Sequence, residues 1–199
     1  MRVLSIDTAS PLPALALVEA GDDARGREAL RPLPKGAAEA LPSALQALLA
    51  GAALPLRAVE RVAVLSGPGS FTGLRAGAAF ARGLARALDV PLVAVPTFRA
   101  ASEAVPGGDA DFLLDGGRGE VFRARRRGPE LKDDPAPLPR EAALAEAGGR
   151  RLVELTAEGP VLAPALALLA ARETPSPFAP AYGRRSAAEE KARAREVTP

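Results

Sequence analysis

The sequence predicts an α/β fold in which helices pack on a mixed sheet, and three observations lead there. Strand-length apolar runs separated by turn residues occupy the first 33 positions, the apolar period becomes helical from Ala37, and a strand, a glycine-rich turn, an alanine-rich segment and another strand run from Arg61 to Val95. Antiparallel neighbours need only short connections, whereas parallel neighbours need a crossover, so a meander followed by helical crossovers implies a sheet of mixed direction.

Arg2 to Thr8 forms the first expected strand, with Val3, Leu4 and Ile6 apolar, and Asp7-Thr8-Ala9-Ser10-Pro11 supplies turn residues. Ala14 to Glu19 is the second, Gly21-Asp22-Asp23 the next turn, and Glu28 to Leu33 a weaker third strand. From Ala37 to Ala50, Leu41, Leu45, Leu48 and Leu49 fall at i, i+4, i+7 and i+8, the face of an amphipathic helix. Arg61 to Leu65 is a β-branched run, Thr72 to Leu88 is helical by composition, and Pro91 to Val95 is a buried type of strand. Three strands, helix, strand, helix, strand is the layout of a ribonuclease H-like fold. Further on, Asp111 to Leu114 and Val121 to Arg125 predict strands around a glycine turn, Pro129 to Pro139 a proline-rich loop, and Pro164 to Arg172 a short helix. The expected organisation is a first lobe over residues 1–100, a second, compressed lobe over 101–182, and a charged tail over 183–199 that lacks an apolar face.

The 199 residues carry 48% hydrophobic and 25% charged residues, a globular balance, and a net charge of +2 offers no broad field to attract nucleic acid. The chain has no Cys, which excludes disulfides and thiolate chemistry, and no His, which removes the commonest metal ligand and the commonest general base at neutral pH. The N-terminal run is too short and polar for a signal peptide, and no apolar run approaches the ~20 residues of a membrane span, so a cytoplasmic protein without membrane contact is expected.

The most distinctive stretch is SGPGSFTGLRAG, Ser66 to Gly77. A Walker loop would need a Lys that is absent, and a dinucleotide fingerprint would need its third glycine at Thr72 rather than Gly73. A generic anion site at a strand-to-helix turn, involving Gly67, Gly69, Ser70 and Thr72 with Asp7 close by as a magnesium carboxylate, remains one reading. The other is a tight turn with Ser70 or Thr72 capping a helix, and Asp7 bonding backbone N–H groups just ahead of it. Within that helix Gly73, Gly77 and Ala81 recur every four residues and flatten one face, against which either the protein's own sheet or another chain can pack.

IDTA after the first strand, GPGSFTGLR at Gly67 to Arg75, AFARGLARALDVPLVAVPTF and the weaker LDGGRGEVF at Leu114 to Phe122 closely resemble the TsaB (YeaZ) family, most strongly over residues 1 to about 100. The resemblance implies a two-lobed ASKHA-type (ribonuclease H-like) fold. It also implies a non-catalytic role in tRNA threonylcarbamoyladenosine synthesis beside a catalytic paralogue, TsaD, and an ATPase, TsaE, with tRNA reached through the complex. The paralogue carries an N-H-L-E-G-H type sequence after the strand matching PLVAV, and its two histidines bind metal. Here Thr97 and Ala101 stand in those places, so the resemblance implies neither metal nor other cofactor in this chain. Two departures stand out: Gly117 occupies an arginine position of the family's D-A-R-x-x-E-V-Y pattern, with Arg118 one place late, and P-x-Y-L-R becomes Pro180-Ala181-Tyr182-Gly183-Arg184.

These readings converge on an assembly subunit with no catalytic residue of its own. Its expected partner face comprises Leu41, Leu45 and Leu48 of the first helix and Gly73, Ala76, Gly77, Phe80, Ala81 and Leu84 of the second, available to a TsaD-like paralogue or to a homodimer. Asp115 and Glu120 imitate an acid–base dyad but are better understood as a turn former and a solvated charge. Two alternatives stay open: an ATP-using enzyme of the sugar-kinase type, which lacks a D-x-G-x-T loop here, and an RNA-binding module, supported by the arginines at 123–127 and 184–195.

Overall fold

The computed structural model describes residues 1–20, 28–34, 38–134 and 136–175. The expected turn at Gly21-Asp22-Asp23, the helix start at Ala37, the Pro180 to Arg184 motif, the arginines at 184–195 and the tail over 183–199 lie outside the described residues.

Strands β1 (Arg2–Asp7), β2 (Ala14–Glu19) and β3 (Glu28–Pro32) form an antiparallel meander. Helix α1 (Leu41–Gly51) then leads to β4 (Arg61–Gly67), and α2 (Phe71–Leu88) leads to β5 (Leu92–Pro96). Both crossovers place their strands parallel, β4 beside β1 and β5 beside β4, and the sheet order is β3-β2-β1-β4-β5. This is the ribonuclease H-like arrangement expected of the order of elements. Helix α3 (Thr97–Ala104) follows directly, and a second sheet is built from β6 (Ala110–Gly117), β7 (Glu120–Arg127) and β8 (Glu130–Asp133), with the short β9 (Leu138–Pro139) on β7. After α4 (Arg140–Ala147), β10 (Leu152–Leu155) pairs parallel with β6, giving the order β10-β6-β7-β8, and α5 (Ala163–Arg172) ends the described chain.

The alternation of β1 decides which layer each residue joins, since successive side chains point to opposite faces. Leu4 and Ile6 join Leu15, Leu17, Val62 and Val64 under α1 and α2, where Leu41, Leu45, Leu48 and Leu49 complete the layer. Each such leucine contributes about 1.5–3 kcal/mol by leaving water, so α1 is held by packing although its N-terminus has no side-chain cap. Val3 faces the other way, into a core made by Ala63, Leu65, Val93 and Val95 of the first sheet, Phe98 of α3, Phe112, Leu114 and Phe122 of the second sheet, and Leu162, Leu166 and Ala170 around α5. Both sheets therefore share one core. Polar ties fix α5 on the first sheet: Ser5 Oγ donates to Ala163 O at 2.6 Å, and Arg61 Nη1 donates to the carbonyls of Ala170 and Glu173 at 2.6 and 2.8 Å.

Candidate functional site

Strand β4 ends at Gly67, whose φ of 110° lies in the left-handed half of backbone space that glycine occupies without a Cβ clash. Ser70 caps α2, its Oγ accepting from the Gly73 N–H at 3.3 Å. Facing this start is the turn after β1. Asp7 Oδ1 accepts from the N–H groups of Ala9 and Ser10 at 3.0 and 2.9 Å, and Oδ2 accepts from the Ser10 hydroxyl. Thr8 Oγ1 donates to Gly73 O at 2.7 Å, and the Ser70 N–H donates to Ala9 O at 2.9 Å.

The glycines mark where these two segments touch. A Cβ placed on Gly69 would lie 2.7 Å from Ala9 O, one on Gly73 would lie 2.0 Å from Thr8 O, and one on Gly77 would lie 2.3 Å from Thr8 Oγ1. IDTAS and GPGSFTGLRAG are thus one unit, a helix seated on a turn with no room for side chains between them. Asp7 is fully buried, and loss of hydration pushes its pKa up to about 6 against hydrogen bonds from Ser10 and Ala9 that pull it down.

That geometry bears on both expected sites. Of the nucleotide set, Asp7 spends both carboxylate oxygens on its own turn, while Gly67 and Gly69 serve the turn and the close approach. Ser70 and Thr72 line a cleft of about 70 Å³ with Thr8 and Ser10, far below the ~300–1,000 Å³ of small-molecule pockets. Among the described residues, none that lines this cleft is a carboxylate that could hold a magnesium ion. Of the partner-face set, five residues (Leu45, Leu48, Gly73, Gly77 and Ala81) need correction, because they pack inside the chain, while Leu41, buried as it is, also lines the groove between α1 and α2. Leu41, Leu45, Leu48 and Ala81 belong to the buried layer beneath α1 and α2, and Gly73 and Gly77 face Thr8, with Val64 beside Gly77. The small-residue row is flat because α2 must press against its own sheet.

Ala76, Phe80 and Leu84 lie one position round the helix and are half-buried. Together with Pro42 of α1 and the exposed Ala79, Gly83 and Ala87 of α2 they line an open apolar groove between the two helices. Ala76, Phe80 and Leu84 of the expected set thus line this groove, and Ala79, Gly83 and Ala87, a second i, i+4, i+8 row of small residues beside them, were not among the residues singled out from the sequence.

Elsewhere, LDGGRGEVF is a hairpin. Arg118 and Gly119 have φ of 58° and 77°, as a two-residue type I′ turn requires, and Asp115 Oδ1 accepts from the Gly117 N–H at 2.8 Å, so Asp115 forms a turn. Thr97 and Ala101, where the resemblance puts metal-binding histidines, are fully buried on α3. The Thr97 hydroxyl has no hydrogen-bond partner among the described residues, and a lone neutral hydroxyl beside alanine is no ligand set for a metal. Among the described residues, no three His, Cys, Asp or Glu side chains gather as a metal site would need. No described helix is long and apolar enough to cross a membrane.

A family model described as TsaD, tRNA N6-adenosine threonylcarbamoyltransferase, matches residues 34–137. The chain belongs to the TsaD family. Within it, the chain is a TsaB/YeaZ relative by its similarities to known proteins. It is 37% identical over 126 residues to an uncharacterised protein of Mycobacterium tuberculosis strain H37Rv, a match covering 62% of this chain and 58% of that protein. It is 34% identical over 105 residues to the Haemophilus influenzae protein named tRNA threonylcarbamoyladenosine biosynthesis protein TsaB, covering 52% of this chain and 43% of that one. The solved structure of YeaZ from Pseudomonas aeruginosa superposes with a TM-score of 0.64 at 23% identity, over 84% of this chain and 90% of that one, a likeness of fold. The TsaD-family match thus comes with a YeaZ-like fold and a chain that contains no histidine.

Proposed function

We propose that this chain is a non-catalytic assembly subunit of tRNA threonylcarbamoyladenosine synthesis, which holds a TsaD-like catalytic paralogue on the outer face of α1 and α2 and works with a TsaE-like ATPase. The observation that carries the reading is the apolar groove along Pro42, Ala76, Ala79, Phe80, Gly83 and Leu84. Its two sides are α1 and α2, whose inner faces are already filled by the sheet, so this outer seam is the free face of a half-bundle. A partner built on the same scaffold presents the corresponding helix pair, and two such pairs close into a four-helix interface; a second copy of this chain fits the same seam when the paralogue is absent. The names of the TsaB relatives, the absent histidines and the fully engaged Asp7 support a supporting role rather than a catalytic one.

Ala79→Arg tests it, since residue 79 is exposed and lies outside the buried layer. The variant is expected to melt as the wild type does. It is expected to bind the co-expressed paralogue at least tenfold more weakly, the equivalent of about 1.4 kcal/mol. A folded variant that co-purifies with the paralogue at full strength, and keeps the wild-type sedimentation behaviour, overturns the docking face.

A further inference from the structure

One face of the second sheet carries a cluster of charged side chains. Arg123, Arg125 and Arg127 alternate along β7 and so project from one face, with Lys132 of β8 in register opposite Arg125. With Arg150, beyond the end of α4, and the acids Glu130 and Glu146, they line a pocket of about 280 Å³. The arginines are pinned in place. Arg123 Nε and Nη2 reach Asp134 and Glu146 at 2.6 and 2.8 Å, Arg125 Nη2 reaches Asp134 at 2.5 Å, and Arg127 Nη2 reaches Asp111 at 2.5 Å. Arg150 approaches the other Asp111 oxygen at 3.5 Å and also donates to the Glu146 carbonyl.

Two features separate this cluster from a neutralised ion-pair network. Asp111 and Asp134 are only 0% and 12% exposed, so the accessible lining is Arg125, Arg127, Lys132 and Arg150 against the two exposed acids Glu130 and Glu146. Arg123 itself is 4% exposed and lines the pocket; its Nη1 is shielded and makes no hydrogen bond among the described residues, while its Nη2 is paired only with Glu146, which is 56% exposed. Buried guanidinium donors are nearly always paired, and a fixed fork of N–H groups suits an oxyanion. An anion entering here competes with the Glu146 carboxylate. A phosphate group, with more charge and more acceptor oxygens, is suited to win that competition.

We propose that this pocket binds a phosphate group, with Arg123, Arg125 and Lys132 as its donors. The inference stands apart from the docking face, which lies on helices α1 and α2 over the other sheet. The phosphate belongs either to an RNA backbone, which the row of arginines along β7 would follow, or to a free phosphate.

The test uses the full chain and four proteins: the wild type, Lys132→Glu, Arg125→Gln and, as a charge control on the exposed turn before β4, Arg57→Glu. Calorimetry with inorganic phosphate at fixed ionic strength and anisotropy with a labelled RNA stem-loop are the readouts, with circular dichroism to verify the fold. Lys132→Glu and Arg125→Gln are expected to weaken phosphate binding about tenfold, while Arg57→Glu leaves it unchanged. If RNA is the source, the slope of log affinity against log salt also shallows by about 0.7–0.9 for each contact removed. Loss of phosphate binding with RNA unaffected upholds the site and assigns it to free phosphate. Should Arg125→Gln misfold, Lys132→Glu decides alone, because Lys132 is exposed. Equal phosphate uptake by all four proteins, an adventitious ion only, or no uptake by the wild type overturns the proposal.

Discussion

Replacing Gly73 by alanine separates the two roles that its small-residue row could have. The new Cβ would sit 2.0 Å from Thr8 O, 2.8 Å from Thr8 C and 3.1 Å from Ala9 Cα, all backbone atoms that cannot rotate aside. Ordinary carbon contacts begin near 3.5 Å, so helix and turn must part by about 1.5 Å. That movement stretches two hydrogen bonds beyond reach, Thr8 Oγ1 to Gly73 O at 2.7 Å and Ser70 N–H to Ala9 O at 2.9 Å. Each is worth about 0.5–1.5 kcal/mol, the overpacking itself costs about 1–3 kcal/mol, and alanine's better helix propensity returns at most about 1 kcal/mol. The net loss is roughly 2–4 kcal/mol, a fall in Tm of about 5–15 °C for a chain of this size. The assay is a circular-dichroism melt with Gly83→Ala as its internal reference. A Cβ on Gly83 has no atom of the described residues within 4 Å, so that variant should gain stability, by up to about 1 kcal/mol. A Gly73→Ala protein that melts within about 2 °C of the wild type but loses its partner would refute the seated-helix account and return the row to an interface.

Asp7→Asn probes the buried carboxylate. Its pKa of about 6 in the fold exceeds the ordinary 3.8, so the folded state binds the proton more tightly and stability from this group falls as pH rises from about 4 through 6. At 1.36 kcal/mol per unit the full cost is about 3 kcal/mol above that window. Asparagine keeps the acceptor for Ala9 and Ser10 and can donate to the Ser10 hydroxyl, so urea unfolding should show Asp7→Asn more stable than the wild type at pH 8 and level with it near pH 4; a constant difference across that range would contradict this. Arg126 is 7% exposed and donates from Nε to Gly108 O at 2.9 Å and from Nη1 to Ser102 O and Val105 O at 2.7 and 2.8 Å. Arg126→Leu strands those carbonyls beneath α3 and should lower unfolding stability by about 2–4 kcal/mol in urea; a loss under about 1 kcal/mol would mean that water replaces the guanidinium.

The first sheet was legible because β1, β2, β4 and β5 are runs of strong apolar or β-branched residues, because the weaker β3 follows them at meander spacing, and because the leucines of α1 keep helical spacing. The second sheet was legible only at its hairpin. β8 lies within the stretch from Pro129 to Pro139 that its prolines mark as loop, yet Glu130 to Asp133 pairs with β7 along an edge, where a strand needs no apolar core of its own. β10 is four residues long, and α3 and α4 are eight each, too short for periodicity to declare itself. At the site, sequence spacing isolated the glycine row and the turn that proves to touch it. It could not say that the two meet, because contact between Thr8 and Gly73 spans 65 residues and leaves no local pattern. The pinned arginines escaped for a related reason: their acids, Asp111, Asp134 and Glu146, come from three separate elements or connections.

The position of α5 has a consequence for synthesis. The inner surface of the first sheet, including Val3, Ala63 and Val95, is covered by a helix that spans Ala163–Arg172 and is tied through Ser5 and Arg61. At about 5–20 residues per second, the ribosome leaves that surface uncovered for several seconds after β5 has been made. During that interval the nascent chain presents an apolar sheet with an unfinished layer, the kind of surface that chaperones grip and that misassembles at high expression. The last described helix thus acts as a closing clasp on a strand made long before it, and productive folding waits for it.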